Sequence, residues 1–183
     1  MRKIVLLYGI PIGLAFIANF FLMAPSSEDA DYTTSEWIGY TVMIVGLGSI
    51  FFAVKQYRDK ELEGKIKFGQ AFLLGLYITL VASFLYVLGW ELYLNSSDHS
   101  FADQYLEQIQ QGMRNKGMTE AEIETELAPQ MGMIENYKNN VGFRMFITFV
   151  EIFPVGLIVS LICGLIFGVF LKKKDDDTLA PQA

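Results

Sequence analysis

The chain has 183 residues, of which 52% are hydrophobic and 19% charged, and it carries a formal net charge of -6. That acidity works against an electrostatic hold on nucleic acid, and so apolar a composition at this length leaves little for a soluble core. With one histidine in the sequence, an HExxH zinc pair cannot be assembled within one chain, and because His99 falls in a loop and the single Cys163 inside the fourth apolar run, neither a Ser-His-Asp triad nor a Cys-His dyad is expected. No phosphate-cradling glycine loop is present.

The first predicted element is an apolar run from Ile4 to Ala24. It begins behind Arg2 and Lys3 as a signal peptide would. The run is longer than the usual stretch of about 7 to 15 apolar residues, however, and no Ala-x-Ala site follows, so a retained span is expected. A short loop with Glu28, Asp29, Asp31 and Glu36 leads to a second run, Trp37 to Val54. Residues 55–67 read as a loop of mixed charge. The third run is Phe68 to Leu94, and residues 143–171 hold a fourth, Met145 to Leu171. Each is near or above the roughly 20 residues that an α-helix needs to cross about 30 Å of hydrocarbon. Their continuous apolarity indicates helices, since barrel strands alternate with a polar lumen face. The expected fold class is therefore all-α: a polytopic membrane protein of four transmembrane helices (4–24, 37–54, 68–94, 143–171), with the first three in residues 1–94.

Residues 95–142 read as a helical hairpin. Phe101, Tyr105, Ile109 and Met113 line one face of a first helix that ends near Asn115, Lys116 and Gly117, the glycine being suited to a left-handed cap. Thr119 and Glu122 have the spacing of a capping box, Met118 and Ile123 that of a hydrophobic staple, and Ile123, Leu127, Met131 and Ile134 continue an apolar stripe. Pro129 is expected to kink or end that helix. The hairpin holds eight acidic residues against three basic ones, and reads either as a docking surface or as a lid packed on itself and the bundle rim. The tail, 172–183, is expected to be cytoplasmic and disordered.

Orientation follows from the cations, because Lys and Arg resist translocation. Arg2, Lys3, Lys55, Arg58, Lys60, Lys65, Lys67, Lys172, Lys173 and Lys174 fall on one side, leaving four of the fourteen on the other. Both termini are thus expected in the cytoplasm and the hairpin outside, in the inner membrane. Trp37, Trp90 and Tyr93 fall at the outer span ends, as interfacial aromatics do.

Small residues recur every fourth position along the third span (Ala71, Gly75, Thr79, Ser83) and the fourth (Gly156, Ser160, Gly164, Gly168), at matching depths. Such rows let backbones approach, so antiparallel packing of these two spans is expected. Gly9 and Gly13 form a shorter row whose partner is open. Cys163 reads as a small packing residue. Asn19, Glu91 and Glu151 interrupt the apolar runs, and such residues are functional suspects by default. Either they converge in an outward-facing cavity lined with carbonyls freed by Pro11 and Pro154, or both glutamates are hydrated near the headgroups, with Arg144 as a partner for Glu151.

Tyr57-Arg58-Asp59, then Gly64-Lys65-Ile66-Lys67-Phe68-Gly69-Gln70-Ala71-Phe72, together with Gly117-Met118-Thr119-Glu120-Ala121-Glu122-Ile123-Glu124, resemble the domain-of-unknown-function 4199 family of bacterial membrane proteins. The likeness covers nearly the whole chain, and Lys67 stands where that pattern commonly has Ser or Thr. The resemblance implies a four-helix inner-membrane protein with an outer helical hairpin. It brings no established activity, so no site residue is carried over. Two functional classes stand: a non-enzymatic scaffold or accessory subunit, or a small proton- or cation-linked transporter or channel-like component acting as an oligomer. The expected partners are the lipid bilayer and either further copies of the chain or another membrane protein, with no cofactor, catalytic residue or metal.

Overall fold

A computed structural model describes residues 1–22, 32–96 and 101–171, with backbone only at 32–36. The 26–36 loop acids, His99 and the 172–183 tail expected from the sequence lie outside the described residues or, at Glu36, outside the described side chains. The described elements are all helical: α1 (Arg2–Leu22), α2 (Tyr32–Gly48), α3 (Ile50–Glu61), α4 (Phe68–Ser96), α5 (Phe101–Asn115), α6 (Glu120–Asn139) and α7 (Val141–Leu165), the last continuing as a π-helical turn over Ile166–Phe170. Four stretches are long and apolar enough to cross a membrane: Arg2–Leu22, Trp37–Glu61, Phe68–Ser96 and Val141–Phe170. The protein is a multi-pass helical membrane protein.

The second span runs past Val54, where the sequence suggested a loop. α2 and α3 are nearly continuous through Ser49, whose hydroxyl donates to the Gly46 carbonyl at 2.7 Å. Three contacts hold the charged extension in helical form against the rest of the bundle. Tyr8 donates to Gln56 at 2.8 Å, the Met1 ammonium lies 3.7 Å from Glu61, and the Arg58 guanidinium sits 5.0 Å over the Phe167 ring. The chain then turns through Glu63 and Gly64, at φ of 50° and 85°.

α4 is the central strut, packed on α1 along one side and α7 along the other. A side chain on Gly9 would strike Val81, and one on Gly13 would strike Leu85. The short glycine row of the first span therefore serves the third span, and α1 runs parallel to α4. Against α7 the packing is antiparallel. Added Cβ atoms would meet Thr79 from Gly156, Ser160 from Gly75, and the Phe68 backbone from Gly168. This register is offset by one turn from strict matching of depths. Gly156 receives Thr79 and Gly75 receives Ser160, so each bulge faces a notch rather than glycine facing glycine, as close packing favours. Ala71, Ser83, Gly156, Ser160 and Gly164 are all buried, with Leu74, Ile78 and Ile152 among the fully buried apolar side chains around them.

The hairpin reverses at Gly117, whose φ is 84°. Glu122 accepts from the Thr119 N–H at 2.8 Å, completing the capping box, and Arg114 forks onto Glu120 at 2.7 and 3.1 Å. Those contacts hold the carboxyls of Glu122 and Glu120 below the usual range, through the Thr119 backbone N–H and the Arg114 guanidinium respectively. Pro129 does not divide α6, which is helical from Glu120 to Asn139. Thr125, whose carbonyl loses its N–H partner to the proline, is exposed, so water can take the place of the missing bond. A single residue, Asn140, then ends α6 and caps α7: its N–H reaches the Asn136 carbonyl at 2.9 Å, and its side chain accepts from Phe143 at 3.0 Å.

Candidate functional site

The one-residue joint at Asn140 delivers Arg144, in the first turn of α7, to the point where hairpin and bundle meet. Its side chain is 3% exposed and lies against Glu91 of α4, which is 13% exposed. Nε donates to Glu91 Oε1 at 2.8 Å and Nη2 to Oε2 at 2.7 Å, the parallel fork that suits guanidinium to carboxylate. The remaining nitrogen, Nη1, donates to the Tyr137 carbonyl at 3.1 Å and the Lys138 carbonyl at 3.3 Å. These carbonyls lie in the last turn of α6, where orphan acceptors and the negative end of the helix dipole favour a cation. One side chain thus fastens three helices.

Aromatic side chains enclose this fork. Trp90 Nε1 donates to the Tyr137 hydroxyl at 2.6 Å, and the Tyr137 ring lies 6.0 Å from the Arg144 guanidinium. Burial pushes the Tyr137 hydroxyl up from its ordinary pKa, against the opposing effects of Trp90 and Arg144, so it stays protonated. Trp90 meets Phe101 of α5 edge-on at 4.8 Å and Phe20 of α1 at 5.1 Å. Lys138 reaches Asp103 of α5 at 2.6 Å. A cavity of about 240 Å³ remains beside the fork, lined by Leu94, Ala102, Asp103, Tyr137 and Arg144 among others.

The three polar residues singled out in the spans occupy three different settings. Asn19 is half-buried and faces Gly39 of α2. Glu91 is held by Arg144. Glu151 is exposed on α7 and shares a side-chain hydrogen bond with Tyr86 of α4. Arg144 therefore serves Glu91, across 53 residues of sequence, rather than Glu151 on its own helix. Tyr137, Trp90 and Tyr86 carry no mark as polar partners in the sequence. The small rows held a usable signal: twelve residues along α4 from Thr79 lies Glu91, and twelve back along α7 from Gly156 lies Arg144. Among the described residues, no group of three His, Cys, Asp or Glu side chains could hold a metal ion.

Fold and site together define a class: a four-span helical membrane protein whose helical hairpin is locked to the bundle by a shielded ion pair. The chain belongs to the family described as protein of unknown function (DUF4199), whose model matches residues 7–168. That match takes in the second and third spans and the hairpin whole, and the first and fourth spans apart from residues 2–6 and 169–170. No curated protein and no solved structure matches the chain.

Proposed function

We propose that this protein is a non-enzymatic scaffold or accessory subunit of the bacterial inner membrane, with both termini in the cytoplasm and the α5–α6 hairpin presented outside as a fixed platform for a membrane protein partner. The fork of Arg144 onto Glu91 and the end of α6 is the observation that carries the reading. Beyond the apolar contact that would suffice for a cover over the bundle rim, such as Phe101 on Trp90, a bidentate ion pair and two carbonyl bonds tie this hairpin to the bundle. An exposed side chain off the Ile123–Leu127 stripe supports the same view, since Met133 on α6 is 55% exposed. Flexible methionines suit adaptable contact with another protein. The cations at the opposite end of the bundle support the orientation.

Site-specific photocrosslinking tests this. A photoreactive residue at Met133, introduced into the full chain in cells, is expected to give one discrete heteromeric product that survives purification in mild detergent. The same probe at Phe52, exposed on the opposite half of the bundle, should not give it. A product with only a second copy of the chain, or none, would overturn the reading.

A further inference from the structure

The α4–α7 seam holds one polar group that its register does not serve. Gly156 receives Thr79 and Gly75 receives Ser160, so each step of four residues along α4 is a step of four back along α7. The same count sets Ser83 opposite Ile152, Val87 opposite Thr148 and Glu91 opposite Arg144, the last pair meeting in the fork described above. Thr79 and Ser160, both fully buried, donate to the Gly75 and Gly156 carbonyls of their own helices at 3.0 and 2.7 Å. Ser83 is equally buried, and its hydroxyl has no hydrogen-bond partner. What this register puts across from it is an apolar isoleucine.

A second register fits the same two surfaces. Moving α7 one turn toward the hairpin side brings Gly156 to Ser83, Ser160 to Thr79, Gly164 to Gly75 and Gly168 to Ala71, small residue to small residue throughout. The Ser83 hydroxyl then lies against the bare backbone of a glycine, where a carbonyl oxygen is open to a donor from the neighbouring helix. Packed helices shift between discrete positions of this kind, one turn or about 5 Å apart, rather than through a continuum. The structure also leaves room for the step. A cavity of about 240 Å³ is lined by Arg144 and by Leu94, which stands three residues beyond Glu91 on α4, so the guanidinium has space on the side to which α7 would carry it. Tyr137 and Lys138, whose carbonyls also hold Arg144, travel with α7 because only Asn140 separates the two helices. What must break is the fork to Glu91.

We infer that α7 and the hairpin form a piston with two positions on α4, and that the Arg144–Glu91 fork is the latch holding the inward one. At its other end α7 presents Phe167 to the Phe51 ring at 4.7 Å and to the Arg58 guanidinium at 5.0 Å. An outward step withdraws Phe167 from α3 and so carries a change at the hairpin to the basic end of the bundle. The inference goes beyond the scaffold reading and does not depend on the hairpin's having a partner.

Double electron–electron resonance on the full chain in lipid vesicles tests it, with spin labels on Leu73→Cys of α4 and Phe146→Cys of α7, both exposed positions, in a Cys163→Ser chain. With the latch intact, one main distance is expected. Glu91→Gln should add a second population longer by about 5 Å, one helical pitch. Ser83→Ala in the Glu91→Gln chain should shrink that population, because no hydroxyl then gains by the step. Glu91→Asp, one methylene short of the fork, is expected to show the longer distance in smaller amount and reports independently should Glu91→Gln not be recovered folded. Labels on Leu14→Cys of α1, also exposed, and Leu73→Cys should keep their distance in every variant, since α1 does not move on α4. A single unshifted distance between 73 and 146 in the Glu91 variants, a longer population indifferent to Ser83→Ala, or a distance between 14 and 73 that changes as well would overturn the proposal.

Discussion

Removing one member of the Arg144–Glu91 pair should loosen the hairpin from the bundle, and the size of the effect can be worked from its geometry. Breaking a buried ion pair from one side costs about 3 to 5 kcal/mol, because the surviving charge is left uncompensated. In Glu91→Gln the surviving charge is Arg144, 3% exposed, which keeps the Tyr137 and Lys138 carbonyls as acceptors at the negative end of α6, so about 2 kcal/mol is expected. Arg144→Gln should cost more, since the Tyr137 and Lys138 carbonyls also lose their donor. The double variant leaves no stranded charge. It should therefore be no worse than the more damaging single variant, giving a coupling of about 2 kcal/mol. For a chain of this size that corresponds to a drop of about 4 to 8 °C in apparent Tm for Glu91→Gln in detergent. In a Trp37→Phe background, emission from Trp90 should shift as its hydrogen bond to Tyr137 is disturbed. Single variants that melt within 1 °C of the parent, or a double variant equal to the summed effects of the two, would refute the reasoning.

The α4–α7 seam gives a graded prediction. Gly168→Ala puts a methyl against the Phe68 backbone, while Gly156→Ala puts one against the Thr79 side chain. Both should lower thermal stability in detergent by about 1 to 3 kcal/mol, with Gly168→Ala the worse because backbone cannot rotate aside. Lys67→Ser should raise stability by about 0.5 to 1 kcal/mol. Gln70 already accepts the Lys67 N–H at 3.1 Å, so a serine would complete a capping box at the start of α4. Acid should loosen the hairpin. The carboxyls of Glu120 and Glu122 are held below their ordinary 4.5, so the stability they contribute is present above that value and is lost as pH falls through their lower folded values. Circular dichroism should show the loss, and Glu122→Gln should reduce its pH dependence. Cys163, 1% exposed, should resist maleimide until the protein is denatured.

Much of the fold is legible in the residues because lipid imposes a length on helices, and that length is written as uninterrupted apolar sequence. The capping box at Thr119 and Glu122 and the reversal at Gly117 are local, and local chemistry can be read. The helical extension from Lys55 to Glu61 is hidden because its charges resemble those of a loop. What keeps it helical is contact with α1 and Phe167, which lie far off in sequence. The pairing of Arg144 with Glu91 is hidden for a related reason. Spacing along one helix points Arg144 at Glu151, and only the interhelical register carries it to Glu91 instead. That register is set by where Gly156, Gly75 and Gly168 admit their neighbours, which is a property of two surfaces together. Pro129 misleads in the opposite sense, since water at the exposed Thr125 satisfies the freed carbonyl and offsets part of the proline's cost.

The claim on which the account rests is that the hairpin and the basic end of the bundle lie on opposite faces of one membrane. Single cysteines at Gln110 and at Lys60, each in a Cys163→Ser chain, can be challenged in intact cells with a membrane-impermeant maleimide. Labelling at 110 and none at 60 until the cells are opened is the predicted result. Labelling at 60 with protection at 110, or equal labelling of both, would contradict it.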